Sequence, residues 1–375
     1  MKSGWQIGLA FVGVAVSAAA FAVLWPHARD AGTLLLVQDD PVALSDMQMK
    51  SALRNDPSTI SQNVDAALSS NDADLAKSFT DLAADKYVPV EPDVAAKVDA
   101  AVAEENSTSN TARRFAKGLI TGEADDVASL SGTVAGDLFV FGDVRDVIRE
   151  GKRLVMGEDA DRLVLGLATV GIAVTAATYV SVGGAVPVRA GLTMVKDARK
   201  VGRLGAGLTE WAGSSARGVV DAPMLQKAVA DASIARPGQT ISAVKAAFKA
   251  EKAGALVRLA KDTGRVAEKA GTKGALDVLR IADGPADVAR AARLAESKGS
   301  QTRAIIKVLG RGALLLAAGA FNLAWWVFAA CLAMLGFLAS IKATTERLTY
   351  SYLQRKKLKR ARRELAVLQN SALAA

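Results

Sequence analysis

Polar and apolar positions divide the chain into three long uncharged stretches separated by runs with helical periodicity. Ile7 to Trp25 carries no charge, and at about 1.5 Å of rise per residue it just crosses a hydrocarbon layer of roughly 30 Å. Trp5 and Trp25 bracket it at the depth indole rings prefer, which predicts a retained anchor over 5–25 behind a short cytoplasmic N-terminus, 1–4. Ala18-Ala19-Ala20 or Ala20-Phe21-Ala22 keeps a cleaved signal peptide open as the alternative. Gly312 to Ile341 is uncharged and holds Trp325, Trp326, Phe328 and Phe337, predicting a second span over 312–341. The third stretch, Leu163 to Val188, is built from Ala, Gly, Thr and Val. Gly166, Gly171, Gly183, Gly184 and Pro187 weaken both insertion and a continuous helix, so a buried helix or hairpin over 163–188 is preferred to a third span.

Between these stretches Ala, Leu and Val recur at spacings of three and four, as in Val64, Ala67, Leu68 and in Leu75, Phe79, Leu82, which predicts short antiparallel helices. Asp56-Pro57-Ser58 and Asn71-Asp72 mark helix ends, and Tyr87 to Pro92 is a break before a helix from about Asp93 to Glu105. Gly254-Ala255-Leu256 and Gly274-Ala275-Leu276 echo each other faintly, which is too little for a solenoid. No run outside the third apolar stretch has strand-like alternation, and the expected class is an all-α, membrane-anchored helical domain.

Charge refines this picture. The chain carries 47 Lys+Arg against 38 Asp+Glu, a net of +9. The region 26–162 is acidic and 189–311 is basic, so the sign changes across the ambiguous stretch; long loops escape the positive-inside tendency, however, and two spans remain the preferred topology. The tail, 342–375, holds Arg355, Lys356, Lys357, Lys359, Arg360, Arg362 and Arg363 next to a span, which predicts a cytoplasmic tail in contact with anionic lipids. Nucleic acid is the weaker partner, since Tyr350 and Tyr352 are the only nearby stacking rings and no recognition motif is present.

One Cys and one His remove most metal sites and Cys/His chemistry, and no cofactor is expected. His27 reads as an interfacial residue and Cys331 as a small apolar side chain. Gly202, Gly205 and Gly207 lack the spacing and the preceding strand of a phosphate loop. The densest polar run is Gly142 to Gly151, where Asp143 reads as a helix N-cap, Asp146 as a first-turn acid able to pair with Arg149, and Gly151 and Gly157 as stops. Asp143, Arg145, Asp146 and Arg149 are the candidate interaction residues of the helical region.

The run from Phe115 through Gly122-Glu123-Ala124-Asp125-Asp126 and Gly136 to Asp146, then Gly157-Glu158-Asp159 to Gly166-Leu167, resembles a family of uncharacterised proteobacterial inner-membrane proteins. It is also distantly similar to helical regions ahead of toxin domains in polymorphic secretion systems. The resemblance covers about residues 115–170 and implies a bacterial envelope location but no activity and no catalytic residue. The reading is therefore a multi-pass inner-membrane protein with a periplasmic helical domain, working as an envelope interaction or scaffold protein with an envelope protein as partner. A pore- or transport-related protein using 163–188 is the alternative, and a membrane-tethered enzyme the third.

Overall fold

A computed structural model describes residues 2–107, 133–178, 186–230, 237–315 and 320–373, with side chains over a narrower set that begins at 11 and ends at 363. The chain is all-α: about 86% is helical, and among the described residues there is no strand, only an isolated antiparallel bridge between Val220 and Phe248. It divides into two units, a helical unit of Asp39–Leu315 and a second unit made from the two ends of the chain, Met1–Gln38 with Leu316–Ala375.

The helical unit begins with α2 (Pro41–Asn55), α3 (Thr59–Ser69), α4 (Ala73–Asp85) and α5 (Pro92–Glu105). Their ends follow the local sequence: Asp40 accepts hydrogen bonds from the Val42 and Ala43 amides, Asp72 caps α4 through the Leu75 amide, and Asn71 and Tyr87 take left-handed backbone at the two reversals. Then come α6 (Thr133–Val155), α7 (Arg162–Thr178), α8 (Val186–Lys200), α9 (Ala206–Val219), α10 (Ala222–Ala230) and α11 (Pro237–Ala246). The unit closes with α12 (Gly254–Ile281), α13 (Pro285–Lys298) and α14 (Thr302–Leu309). α12 is two helical stretches that meet at a kink at Gly271, whose positive φ breaks the helix; Gly254-Ala255-Leu256 opens the first stretch and Gly274-Ala275-Leu276 lies at the start of the second.

Two cores hold the unit. Phe79 and Leu82 of α4, Leu167 of α7, Leu208 of α9 and Leu256 and Leu279 of α12 share the larger one. Val144, Val147 and Ile148 of α6 meet Leu165 and Ile172 of α7 and Leu225 of α10 in the smaller. Glycine lets backbones touch between α8 and α12: a methyl group on Gly191 would strike the Ala260 carbonyl, and one on Gly264 the Pro187 carbonyl.

In keeping with the preferred reading of the third apolar stretch, every residue from Leu163 to Ile172 is buried in the helical unit; 179–185 lie outside the described residues. The second predicted span is corrected. The uncharged stretch starting at Gly312 does not all belong to a span, because Ala313 and Leu314 are fully buried in the core of the helical unit and the long C-terminal helix starts at Ala320.

The second unit is a pair of helices, α1 (Lys2–Leu36) and α15 (Ala320–Leu373). Both are long and apolar enough to cross a membrane. At about 1.5 Å per residue α1 is ~52 Å long and α15 ~81 Å. They run antiparallel: the Ser17 and Ser340 hydroxyls are hydrogen-bonded at 3.2 Å, while ten residues further along α1 His27 stacks on Trp326, with ring centroids 5.0 Å apart.

Candidate functional site

Two of the candidate residues of α6, Asp143 and Asp146, share a face with Glu150 at steps of three and four. Opposite them α8 presents Lys196 and Lys200, one turn apart. Lys196 donates to Asp143 and lies 3.4 Å from Asp146, and Lys200 donates to Asp146 at 3.0 Å. Asp161, between α6 and α7, closes the end of the row. Its amide donates to Glu150 at 3.0 Å, its Oδ1 accepts from the Leu163 and Val164 amides, and its Oδ2 accepts from Arg199 Nε at 2.9 Å.

Asp143 is therefore no helix N-cap; it sits in the middle of α6, ten residues after Thr133, and the cap of the next helix is Asp161. Gly151 is no stop either, since α6 continues to Val155 and the reversal falls at Gly157, which has positive φ. A mid-helix aspartate reads like a cap when a glycine precedes it; here Gly142 is helical and the carboxylate turns inward instead. Gly171 of α7 makes the room, because a methyl group there would run into the Asp143 carboxylate.

Burial pushes the Asp143 carboxyl above the ordinary range, with Lys196 pulling the other way. Burial acts on Asp146 in the same sense, yet Lys196, Lys200 and Arg149 together hold it below the ordinary value. Desolvation works against the Lys196 ammonium, and the two aspartates overcome it and raise its pKa. Arg149 stays half exposed at the edge, 3.5 Å from Asp146 and 2.8 Å from Glu150; the Asp146–Arg149 pairing expected from their spacing is present. Arg145 reaches Asp146 only at 4.0 Å, and its buried Nε has no hydrogen-bond partner.

Lys196, Lys200, Glu150 and Asp161 were not legible as members of the site. The available signal was the Lys196–Lys200 spacing, which matches Asp143–Asp146 only once α6 and α8 are known to face each other. The row is a closed zipper of charges between buried helices, with its acids and bases committed to one another. A second network joins the ends of the unit: Arg303 forks onto both oxygens of Asp72 at 2.7 Å and reaches Asp277 at 3.0 Å, while Lys273 donates to Glu105 at 2.7 Å. Burial would raise Asp72, but Arg303 and Lys273 take its pKa down to about 2. Among the described residues no group of three or more His, Cys, Asp or Glu side chains could hold a metal.

The α1–α15 pair has a geometry of its own. Along α1 the residues withdrawn from solvent include Val14, Ser17, Phe21, Leu24, Ala28 and Ala31; along α15 they include Ala330, Ala333, Phe337, Ser340 and Thr344. Steps alternating between three and four are the seam of a left-handed coiled coil, and the small side chains let two apolar helices come close. Trp25, Trp325, Phe328, Leu335 and Leu338 point away from the seam and are exposed. α1 continues past Trp25 to Leu36, and Trp5 lies outside the residues whose side chains are described.

With Ser17 level with Ser340, the stretches free of charge on both helices overlap for about 13 residues, or ~20 Å. Arg29 at one end and Lys342 at the other are exposed, with side chains long enough to snorkel outward. The belt of Trp325 and Trp326 and the exposed Tyr350 and Tyr352 are separated by roughly 37 Å along α15, the spacing of the two interfaces of a bilayer. Arg355, Lys356, Lys357, Lys359, Arg360, Arg362 and Arg363 follow, all exposed. Of the residues behind the family resemblance, those from 115 to 132 fall outside the described residues. No family model, curated protein or solved structure matches the chain.

Proposed function

We propose that the chain is a membrane-anchored interaction or scaffold protein of the bacterial inner membrane. In this reading α1 and α15 are its two spans, the helical unit lies on the periplasmic side, and both termini are cytoplasmic. The observation that carries it is the register of the α1–α15 seam: it brings Lys2 level with the start of the Arg355–Arg363 cluster, so Lys2 and that cluster gather at one end of a helix pair that shares about 13 uncharged residues. The seven cations then stand at the cytoplasmic headgroups, where each contributes about 1 kcal/mol of attraction to anionic lipid. The polar network of α6 and α8 supports a structural role for the helical unit, because its acids face its bases and leave no open side for a substrate. The burial of α7 removes the exposed apolar segment that a pore reading needs.

The test is topological. In a Cys331→Ser background, a cysteine at Ala374 is expected to react with an impermeant maleimide only after the inner membrane is opened, and a compartment reporter fused after Arg203 is expected to report the periplasm. Labelling of residue 374 with only the outer membrane permeabilised, or release of the protein by carbonate, overturns the reading.

A further inference from the structure

One contact between α1 and α15 is able to carry charge. His27 stacks on Trp326 with the rings 22° from parallel and their centroids 5.0 Å apart, and its Nδ1 lies 3.1 Å from the Val23 carbonyl oxygen. A carbonyl can only accept, so Nδ1 bears the proton of the neutral ring and Nε2 is left to take a second one. The stack stands beside a weak turn of its helix. Pro26, inside α1, has no amide to close onto the Ala22 carbonyl, and the backbone ladder is interrupted one residue before His27. Past this turn the two helices are close again: Ala28 and Ala31 are buried, and a methyl group on Gly32 would touch Val327.

We propose that His27 and Trp326 form a pH-sensitive brace, which tightens the α1–α15 pair across the proline-weakened turn when the imidazole takes up its second proton. Protonation breaks neither contact of the ring. It makes the bond from Nδ1 to Val23 charge-assisted and places a cation against the face of an indole, so both contacts strengthen together. The charged residues nearest in α1 are Arg29 and Asp30, both exposed and opposite in sign. From α15 no Asp, Glu, Lys or Arg enters between Ala320 and Ile341, where Cys331 is the one titratable side chain. Among the described residues no other hydrogen bond or ion pair reaches His27. It is also the single histidine of the chain, the residue type whose charge ordinarily changes between pH 5 and pH 8. The brace goes beyond the scaffold reading. It acts within the helix pair whichever way the pair is oriented, so its failure and that of the maleimide test are distinguishable.

The experiment uses the full chain in zwitterionic detergent. With one histidine, nitrogen-15 labelling of that residue type gives a spectrum of His27 alone, expected to show the Nδ1-protonated tautomer at pH 8 and uptake of a proton at Nε2 on acidification. Tryptophan emission is expected to fall over the same pH interval, since an imidazolium quenches an indole it stacks on, and the step is expected to vanish in both His27→Gln and Trp326→Leu. Tightening is read from spin labels at Thr33→Cys and Ala324→Cys in the Cys331→Ser background, two exposed positions level with each other in the Ser17–Ser340 register. Between pH 8 and pH 5 the ratio of close to separated labels is expected to rise roughly two- to thirtyfold, the range of a cation against an aromatic face. His27→Gln is expected to remove this pH response, and His27→Arg, a permanent cation that also stacks on indole, to hold the close state already at pH 8. An Nε2-protonated neutral ring, a label response that persists in His27→Gln, or labels that separate on acidification would each overturn the proposal.

Discussion

Helix α7 and the α1–α15 pair are all apolar and uncharged over long stretches, yet one is enclosed by protein and the others present their large side chains outward. The difference lies in how many faces of each helix are packed. In α7, Gly166 meets Ala216 of α9 while Gly171 meets Asp143 of α6, so small positions face different neighbours and the helix is surrounded. In α1 and α15 a single seam is packed, holding Ser17, Ala28, Ala31, Ala330, Ala333 and Ser340 together with Phe21, Leu24 and Phe337, while Trp25, Trp325, Phe328, Leu335 and Leu338 face outward. Gly13 and Gly336, which lie off that seam, have nothing within 4 Å of an added methyl. Apolar composition therefore groups these helices together, and the number of faces that meet protein separates them.

The largest effect expected from this contrast is at glycine. Gly171→Val should cost upwards of about 5 kcal/mol, because the new side chain displaces Asp143 from Lys196 in a closed interior, whereas Gly336→Val should change stability by less than about 0.5 kcal/mol. Denaturant unfolding of the two variants in detergent checks this, and equal effects would mean that α7 is not enclosed. Next comes Lys196→Met, which strands the buried Asp143 and leaves Asp146 to Lys200 and Arg149; it should cost about 3 to 5 kcal/mol, with much of the loss recovered when Asp143→Asn and Asp146→Asn are added. A triple variant no more stable than the single one would show that the zipper is not what positions α6 and α8.

Acid should divide the two regions next. Asp72 has a depressed pKa, so its contribution is complete above the ordinary carboxylate value near 3.8 and is lost as pH falls through about 2. Arg303→Gln should therefore destabilise the helical unit by no more than about 2 kcal/mol through Asp72 titration at neutral pH, with the gap to wild type closing between pH 4 and pH 2. Asp146 runs in the same direction; Asp143, pushed up by burial, runs in the opposite one. The α1–α15 seam has no such carboxylate, and its helicity in detergent should be indifferent to the same titration, as circular dichroism of the acidified protein would show.

A smaller effect belongs at the α7 start. Asp161→Ala should cost about 0.5 to 2 kcal/mol while Asp161→Asn or Asp161→Ser stays close to wild type, since each keeps an oxygen for the Leu163 and Val164 amides. Failure of all three alike would assign the role of Asp161 to its ion pair with Arg199 instead. Smallest is the hydroxyl contact of the seam: Ser17→Ala or Ser340→Ala should cost about 0.6 kcal/mol, read as a change in the detergent concentration that separates the pair.

Chain ends and breaks were legible in the residues themselves. Asp72 caps α4, α5 starts at Pro92, and the all-α class follows from spacings of three and four, because these depend on a few neighbouring dihedrals and hydrogen bonds. Asp143 and Asp146 could be picked out as unusual, but the site was misread, since Gly142-Asp143 is locally indistinguishable from a cap and Lys196 lies 53 residues away. The uncharged stretch after Arg311 shows the same limit: Ala313 and Leu314 are as apolar as the span that follows, and only the packing of the unit claims them for its core.

By itself, then, the sequence determined helical class, the two long apolar helices and the basic tail, all properties of local composition and period. Tertiary structure alone decided that Leu163 to Ile172 of α7 are enclosed, that Lys196 and Lys200 neutralise the aspartates of α6, and that α1 meets α15 in a seam. Those outcomes depend on which faces meet across long sequence separations, and a helix period of 3.6 residues defines a face without naming its partner.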